Sequence, residues 1–372
     1  MKKGFLVSVI LSVLLLTSCS PGKKILTGAN YYPEQDQNVS MMNIHGNMVA
    51  ETETGFYYTE YFDSRLRYIE KQSMENIVLC GKPNCHHTDH ATCNAFIEQS
   101  VDKNLYYYQG ENYYVESVEK EDEVGSIRVL SKTSLDGTRR QRLWEITWDT
   151  DLIPDGAIQC FTFHRGKFYY VVMGTEPLRL LLTYDVQTKK VEEIYRTEEY
   201  IYELKGIGDH MYWYQLNHKE DFPTITRYHT LTKEMDEPWE KGICVTANTK
   251  NIFALQVNET QTSKKVVIAD RNGENSRDTG VETMGTIAVD ETYIYTYYNE
   301  SQGRIPLVEI YRIDTGEKVQ STEFPVDEKC SLMPSSGDQV LLYAEPGTVS
   351  HYFLKSAIGT PDFQWFEVEK VN

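Results

Sequence analysis

A short aromatic segment entered through a polar or glycine-containing turn occurs seven times along the chain. The seven copies are Thr54-Gly55-Phe56-Tyr57-Tyr58, Gly110-Glu111-Asn112-Tyr113-Tyr114, Gly166-Lys167-Phe168-Tyr169-Tyr170, Gly208-Asp209-His210-Met211-Tyr212-Trp213, Thr249-Lys250-Asn251-Ile252-Phe253, Asp290-Glu291-Thr292-Tyr293-Ile294-Tyr295 and Gly337-Asp338-Gln339-Val340-Leu341. Anchored on Phe56, Tyr113, Phe168, Tyr212, Phe253, Tyr293 and Val340, the steps are 57, 55, 44, 41, 40 and 47 residues. No long stretch carries a helical period; the segments alternate and are rich in β-branched and aromatic residues. A second element follows several anchors: a strand, a tight polar turn and another strand. Examples are Leu182 to Lys190, Ile310 to Glu317, Ile268 to Glu274 and Ser134 to Thr138. Their Asp-Gly, Asn-Gly and Asp-Thr-Gly turns supply the left-handed positions that tight hairpins need.

A repeat of about 40–45 residues with four short strands predicts a β-propeller. One four-stranded blade has two apolar faces and can bury neither alone; in a ring each blade covers its neighbour. The expected fold is all-β, a propeller of about seven four-stranded blades over residues 39–372, with a twin β-sandwich as the competing architecture. The long first two steps mark insertions, one at the Cys/His loop described next and one around Ile146 to Ile158. The 27 Tyr, against 13 Phe and 5 Trp, suit strands that are apolar at the base and polar at the tip; the alternative is a sugar-stacking or protein-binding surface.

Three Cys and three His fall within Cys80-Gly81-Lys82-Pro83-Asn84-Cys85-His86-His87-Thr88-Asp89-His90-Ala91-Thr92-Cys93. Thiolate and imidazole are the usual ligands of tetrahedral zinc. Cys80, Cys85, His87 and Cys93 make a Cys₃His set, with Pro83 and Asn84 turning the chain so that Cys80 and Cys85 face one point. His90 or Asp89 serve as outer partners or alternative ligands. With all four positions filled by protein, such a site is structural and holds no catalytic water. The competing reading is a disulfide with a spare thiol. Cys160, Cys244 and Cys330 lie 8, 9 and 10 residues before their anchors, so they occupy equivalent places in three different blades and are expected as small buried hydrophobes.

At the amino terminus, Met1-Lys2-Lys3 precedes an uncharged stretch from Gly4 to Leu16, the pattern of a secretory signal. It is shorter than the ~20 apolar residues of a membrane span. Leu16-Thr17-Ser18-Cys19 resembles the bacterial lipobox, which implies a signal peptide over 1–18 and lipid on Cys19. Residues 19–38 lack a hydrophobic period and are expected as a flexible tether. The expected location is extracytoplasmic, anchored to the cell membrane through that lipid. Together, the lipobox, the Cys/His loop and the Tyr-rich repeats resemble a family of propeller-like lipoproteins of Gram-positive anaerobes. Its Cys-x-x-x-x-Cys-x-His…Cys-Asn-Ala segment matches Cys80, Cys85, His87, Cys93, Asn94 and Ala95 and leaves His86 and His90 as additions here. The resemblance implies no activity.

The formal charge is -18, or -20 once Lys2 and Lys3 are removed. This excludes nucleic acid as a partner, since its binding relies on Lys and Arg against phosphate. No Gly-x-Ser-x-Gly elbow, Walker loop, dinucleotide fingerprint or His-Glu-x-x-His occurs. Asp149, Asp151, Asp155, Asp209, Asp290 and Asp338 fall on or near expected turns, where a glycosidase pair would have to converge. The expected function is a surface-anchored module that binds a protein or glycan ligand. The alternatives are an extracytoplasmic polysaccharide hydrolase or lyase and a cell-envelope scaffold.

Overall fold

The computed structural model describes residues 25–371 except 44–45, 61–63, 89–91, 98–103, 120–125, 176, 217–221, 241, 259, 261–262, 299–305 and 345–346. Seven antiparallel sheets follow one another along the chain. They form blades 1 to 7, with strands over residues 49–78, 105–145, 157–197, 200–240, 242–283, 286–323 and 330–367. The arrangement is a seven-bladed β-propeller, and the two-sheet sandwich is excluded.

Within each blade the strands lie in chain order. First strands of most neighbouring blades touch one another around the axis. All seven anchors fall on second strands, from Gly55–Thr59 in blade 1 to Gln339–Ala344 in blade 7. A second strand is covered on both faces, which is why its sequence reads as a continuous apolar run rather than an alternation. Phe168 to Val172 are buried without a break. Fourth strands such as Lys318–Glu323 are largely open to solvent, and their sequence is correspondingly polar. The two expected insertions sit between blades 1 and 2 and between blades 2 and 3.

The tyrosines explain how the blades adhere. Their rings pack between sheets and their hydroxyls donate to the neighbouring blade's backbone: Tyr106 to the Phe161 carbonyl at 2.9 Å, Tyr170 to Thr147 at 2.8 Å and Tyr57 to Leu135 at 3.2 Å. Tyr113 stacks on Phe163 at 4.5 Å, and Trp144 on Tyr184 at 4.2 Å, each across a blade boundary. Burying a tyrosine ring while its hydroxyl keeps a partner uses both halves of the side chain. Cys160, Cys244 and Cys330 lie on the first strands of blades 3, 5 and 7 and form no disulfide. The last two are buried and Cys160 partly so, in line with the expectation that blade symmetry keeps them apart.

One expectation is corrected. Residues 25–38 are not free of the ring: Gln35, Asp36 and Gln37 are buried. The segment lies against the turns between first and second strands, and the 3₁₀ turn Val39–Met41 then touches the first strands of blades 1, 4, 5, 6 and 7. Ser40 donates to the Ala247 carbonyl at 3.0 Å and Asn47 to Leu105 at 2.6 Å. This segment therefore plugs the axis of the ring. Residues 25–38 bind through polar side chains, which is why no hydrophobic period betrays them, while Val39 and Met41 of the turn are buried in the core.

The ring closes in two ways. Glu51 of blade 1 accepts from the backbone and hydroxyl of Ser336 in blade 7, both at 2.8 Å. At the rim, Glu369–Lys370 adds as a parallel fifth strand beside Glu75–Asn76, with Lys370 2.7 Å from Glu60.

Candidate metal centre

The Cys/His loop leaves blade 1 after Glu75–Val78 and rejoins the ring at blade 2. A turn from Lys82 to Cys85 closes with a 3.4 Å bond from the Cys85 amide to the Lys82 carbonyl. Asn84 and His87 take left-handed conformations, φ 59° and 55°; Asn tolerates that region better than most residues. The turn at Pro83-Asn84 thus does what the sequence predicts. One ligand atom from each of Cys80, Cys85, His87 and Cys93 lies within 4.8 Å of the others. Among the described residues no other group of three or more His, Cys, Asp or Glu is gathered this way. The Cys93 thiol is 3.5 Å from Nδ1 of His87.

The loop is tied to both blades. Ala95 and Ile97 exchange backbone bonds with Leu66 and Ser64 of blade 1, at 2.7 and 2.9 Å. Asn94 donates to the carbonyls of Gly137 and Thr138 in blade 2, both at 3.0 Å. Gly81 packs so closely on that hairpin that a Cβ there would sit 2.6 Å from the Asp136 carbonyl. Asp136 organises the hairpin by accepting from Ser134 and from Thr138, which holds its carboxyl down at about 2. Cys93, Ala95 and Phe96 form a small buried core, joined by Val78, Cys80 and Cys85.

The electrostatics favour the ligating form at Cys80 and His87 and oppose it at Cys93. Burial would raise the Cys80 thiol, but hydrogen bonds from the Lys82 and Asn94 amides and the nearby thiols outweigh it and bring it below its ordinary value. Burial pushes Cys93 up to about 12, reinforced by the neighbouring thiols. Burial, with Arg65 and His86 nearby, lowers His87, which favours the neutral, ligating imidazole. Three sulfurs and one nitrogen converging at one point fit a four-coordinate site of the zinc or iron–sulfur type and do not suit manganese or calcium, which prefer oxygen. His86 is exposed and outside the group. Asp89, His90 and the lipidation candidate Cys19 lie outside the described residues.

The acidic candidates have local work. Asp149 accepts from the Asp151 amide at 3.0 Å and Asp155 from Thr175 at 3.3 Å. Asp290 caps its turn through Thr292 and Tyr293, and Asp338 binds Ser356. Asp209 pairs with Arg165 at 2.6 Å and accepts from the Gly28 amide at 2.6 Å. Sequence reasoning missed the network around Arg165, which also holds Asp36 at 2.6 Å; the adjacent Tyr31-Tyr32 was the one sign that this segment packs.

Fold and site define a seven-bladed propeller whose rim carries a Cys₃His cluster able to hold a metal ion. No protein-family model matches the chain, and no curated protein matches it in sequence. Solved structures share its fold. An oligogalacturonate lyase in complex with manganese is 9% identical with a TM-score of 0.55, over 86% of this chain and 90% of that one. An oligogalacturonate lyase from Vibrio parahaemolyticus is 9% identical with a TM-score of 0.53, over 85% and 88%. The tricorn protease is 10% identical with a TM-score of 0.53; 91% of this chain aligns with 36% of that one. At such identities the likeness is one of fold alone.

Proposed function

We propose that the chain is an extracytoplasmic lipoprotein, cleaved before Cys19 and held on the cell membrane by lipid on that residue. Its propeller binds a protein or glycan ligand, and Cys80, Cys85, His87 and Cys93 hold a structural zinc that staples blade 1 to blade 2. The observation that carries the zinc reading is the convergence of four protein ligand atoms within 4.8 Å. Zinc there would supply a rigid tetrahedral crosslink. The chain's own residues do the rest: the Lys82 and Asn94 amides favour thiolate at Cys80, and Asn94 fixes the loop to the next blade. The binding reading is favoured over a hydrolase or lyase because the acidic candidates are engaged as turn caps and ion-pair partners.

Native mass spectrometry of the chain beginning after Cys19, purified without chelator or reductant, tests the metal. One added zinc, lost in acid to leave six free thiols, is the expected result. A mass lower by about 2 Da, one disulfide bridge, and no metal would replace zinc with a staple. A carbohydrate screen tests the rest: saturable binding without turnover supports the module, whereas turnover would establish the polysaccharide enzyme.

A further inference from the structure

We propose that the propeller sits on the bilayer with the face formed by its first-to-second-strand turns toward the membrane, leaving the opposite face for partners. This rests on the lipid-anchoring reading.

The argument is one of reach. Gly28 is fixed near the axis of that face: its amide donates to Asp209 at 2.6 Å, in the first turn of blade 4, and its carbonyl accepts from Arg165 at 3.2 Å, in the first turn of blade 3. The two following carbonyls are held as well, Ala29 by Arg271 at 2.7 Å and Asn30 by Arg165 at 3.1 Å. Arg271 in turn holds the Asn248 carbonyl in the first turn of blade 5. Arg165 is itself fixed between Asp36 and Asp209, each at 2.6 Å. Eight residues lie between Cys19 and Gly28, nine steps along the chain, and a fully extended chain covers at most about 3.3–3.6 Å per residue, so the leash spans ~30 Å.

To reach a bilayer on the other side, the leash would first cross four strands at ~4.8 Å spacing and then descend a strand of six or seven residues at ~3.3 Å each, ~40 Å before side chains are counted. It is too short to reach that side, and the face where Gly28 is fixed is the one it reaches without crossing the blades. Charge does not set this orientation, since a chain of net -20 after loss of Lys2 and Lys3 gains nothing from anionic lipid. The face turned outward carries the second-to-third-strand turns and the links between blades.

The test uses the full lipidated chain in vesicles containing headgroup-quencher lipid. A fluorophore on an encoded azido residue replaces Lys250 or Thr260, exposed positions in turns at opposite ends of the blade 5 strand Asn251–Val257. Stronger quenching at position 250 than at 260 is expected, and inserting about twenty Gly/Ser residues after Ser20 should erase the difference by relaxing the leash. Vesicle-bound protein with equal quenching, or stronger quenching at 260, overturns the orientation and leaves anchoring intact. A difference that survives the insertion overturns the short leash as its cause. Absence of lipid mass on Cys19 together with no vesicle association overturns anchoring and orientation at once.

Discussion

His164 shows how a single side chain reports on the seating of the amino-terminal segment. Its Nε2–H donates to the Gly208 carbonyl at 2.8 Å, which leaves Nδ1 as the bare nitrogen, 3.8 Å from Asp36. Burial lowers its pKa to about 4; Asp36 opposes this shift, and Arg165 and Arg271 reinforce it. The unfolded chain therefore binds the extra proton first, from its ordinary value of 6.5 downward. Stability is lost as pH falls from about 6.5 to about 4, by about 3 kcal/mol at about 1.4 kcal/mol per pKa unit. Denaturant titrations across that range should show the slope, and His164→Gln should flatten it. At the rim, Cys93→Ala is expected to abolish the bound zinc seen by native mass spectrometry, while His86→Ala keeps it. Because three thiols must lose protons to ligate, zinc affinity should fall with acid, by up to about tenfold per thiol proton and pH unit. The rim cluster of Cys80, Cys85, His87 and Cys93 was legible from spacing alone, since all four lie within fourteen consecutive residues. The Asp36–Arg165 pair was not, because it joins positions 129 residues apart.

Second strands announced themselves in the sequence because both of their faces are covered. Fourth strands did not: Val191–Thr197 and Lys318–Glu323 are mostly solvated and carry no apolar pattern to read. The segment over residues 25–38 carries no hydrophobic period for a related reason. It is held by Gln37 donating to Tyr107, by Asp36 on Arg165 and by Asn38 on Pro334, and polar anchoring leaves no period. Removing residues 25–38 would strip Arg165 of one carboxylate and uncover buried polar groups. A chain starting at Val39 should therefore lose about 3–5 kcal/mol, the cost of breaking a buried ion pair, measurable by denaturant unfolding. The rim loop makes a second element-scale claim. Gly81→Ala brings a methyl to within 2.6 Å of a backbone carbonyl that cannot rotate away. It should cost about 1–3 kcal/mol and weaken zinc binding without touching a ligand.

Across the whole molecule, the number of blades was readable from the seven anchors, but the manner of closure was not. Glu369–Lys370 makes only a two-residue parallel pairing with blade 1, too short to stand out in sequence. Val368 beside it is buried with Phe56, Ile69 and Leu341, so the clasp joins the core of blade 1 to that of blade 7. Ending the chain at Glu367 should lower stability by about 2–3 kcal/mol, mostly from the lost Val368 burial and the opened seam. Amide exchange should quicken first in blades 1 and 7 and stay slow in blade 4.

The axial plug also imposes an order of events on the newly made chain. Residues 25–43 lie near the start of the chain, yet Ser40 needs Ala247, 207 positions later, and Asn38 needs Pro334, 296 positions later. This segment must therefore wait, undocked, until the first strand of the last blade is in place. Contacts of such separation place folding among the slow topologies and make docking of the plug a late step, one that completes only on a ring whose blades are all in place.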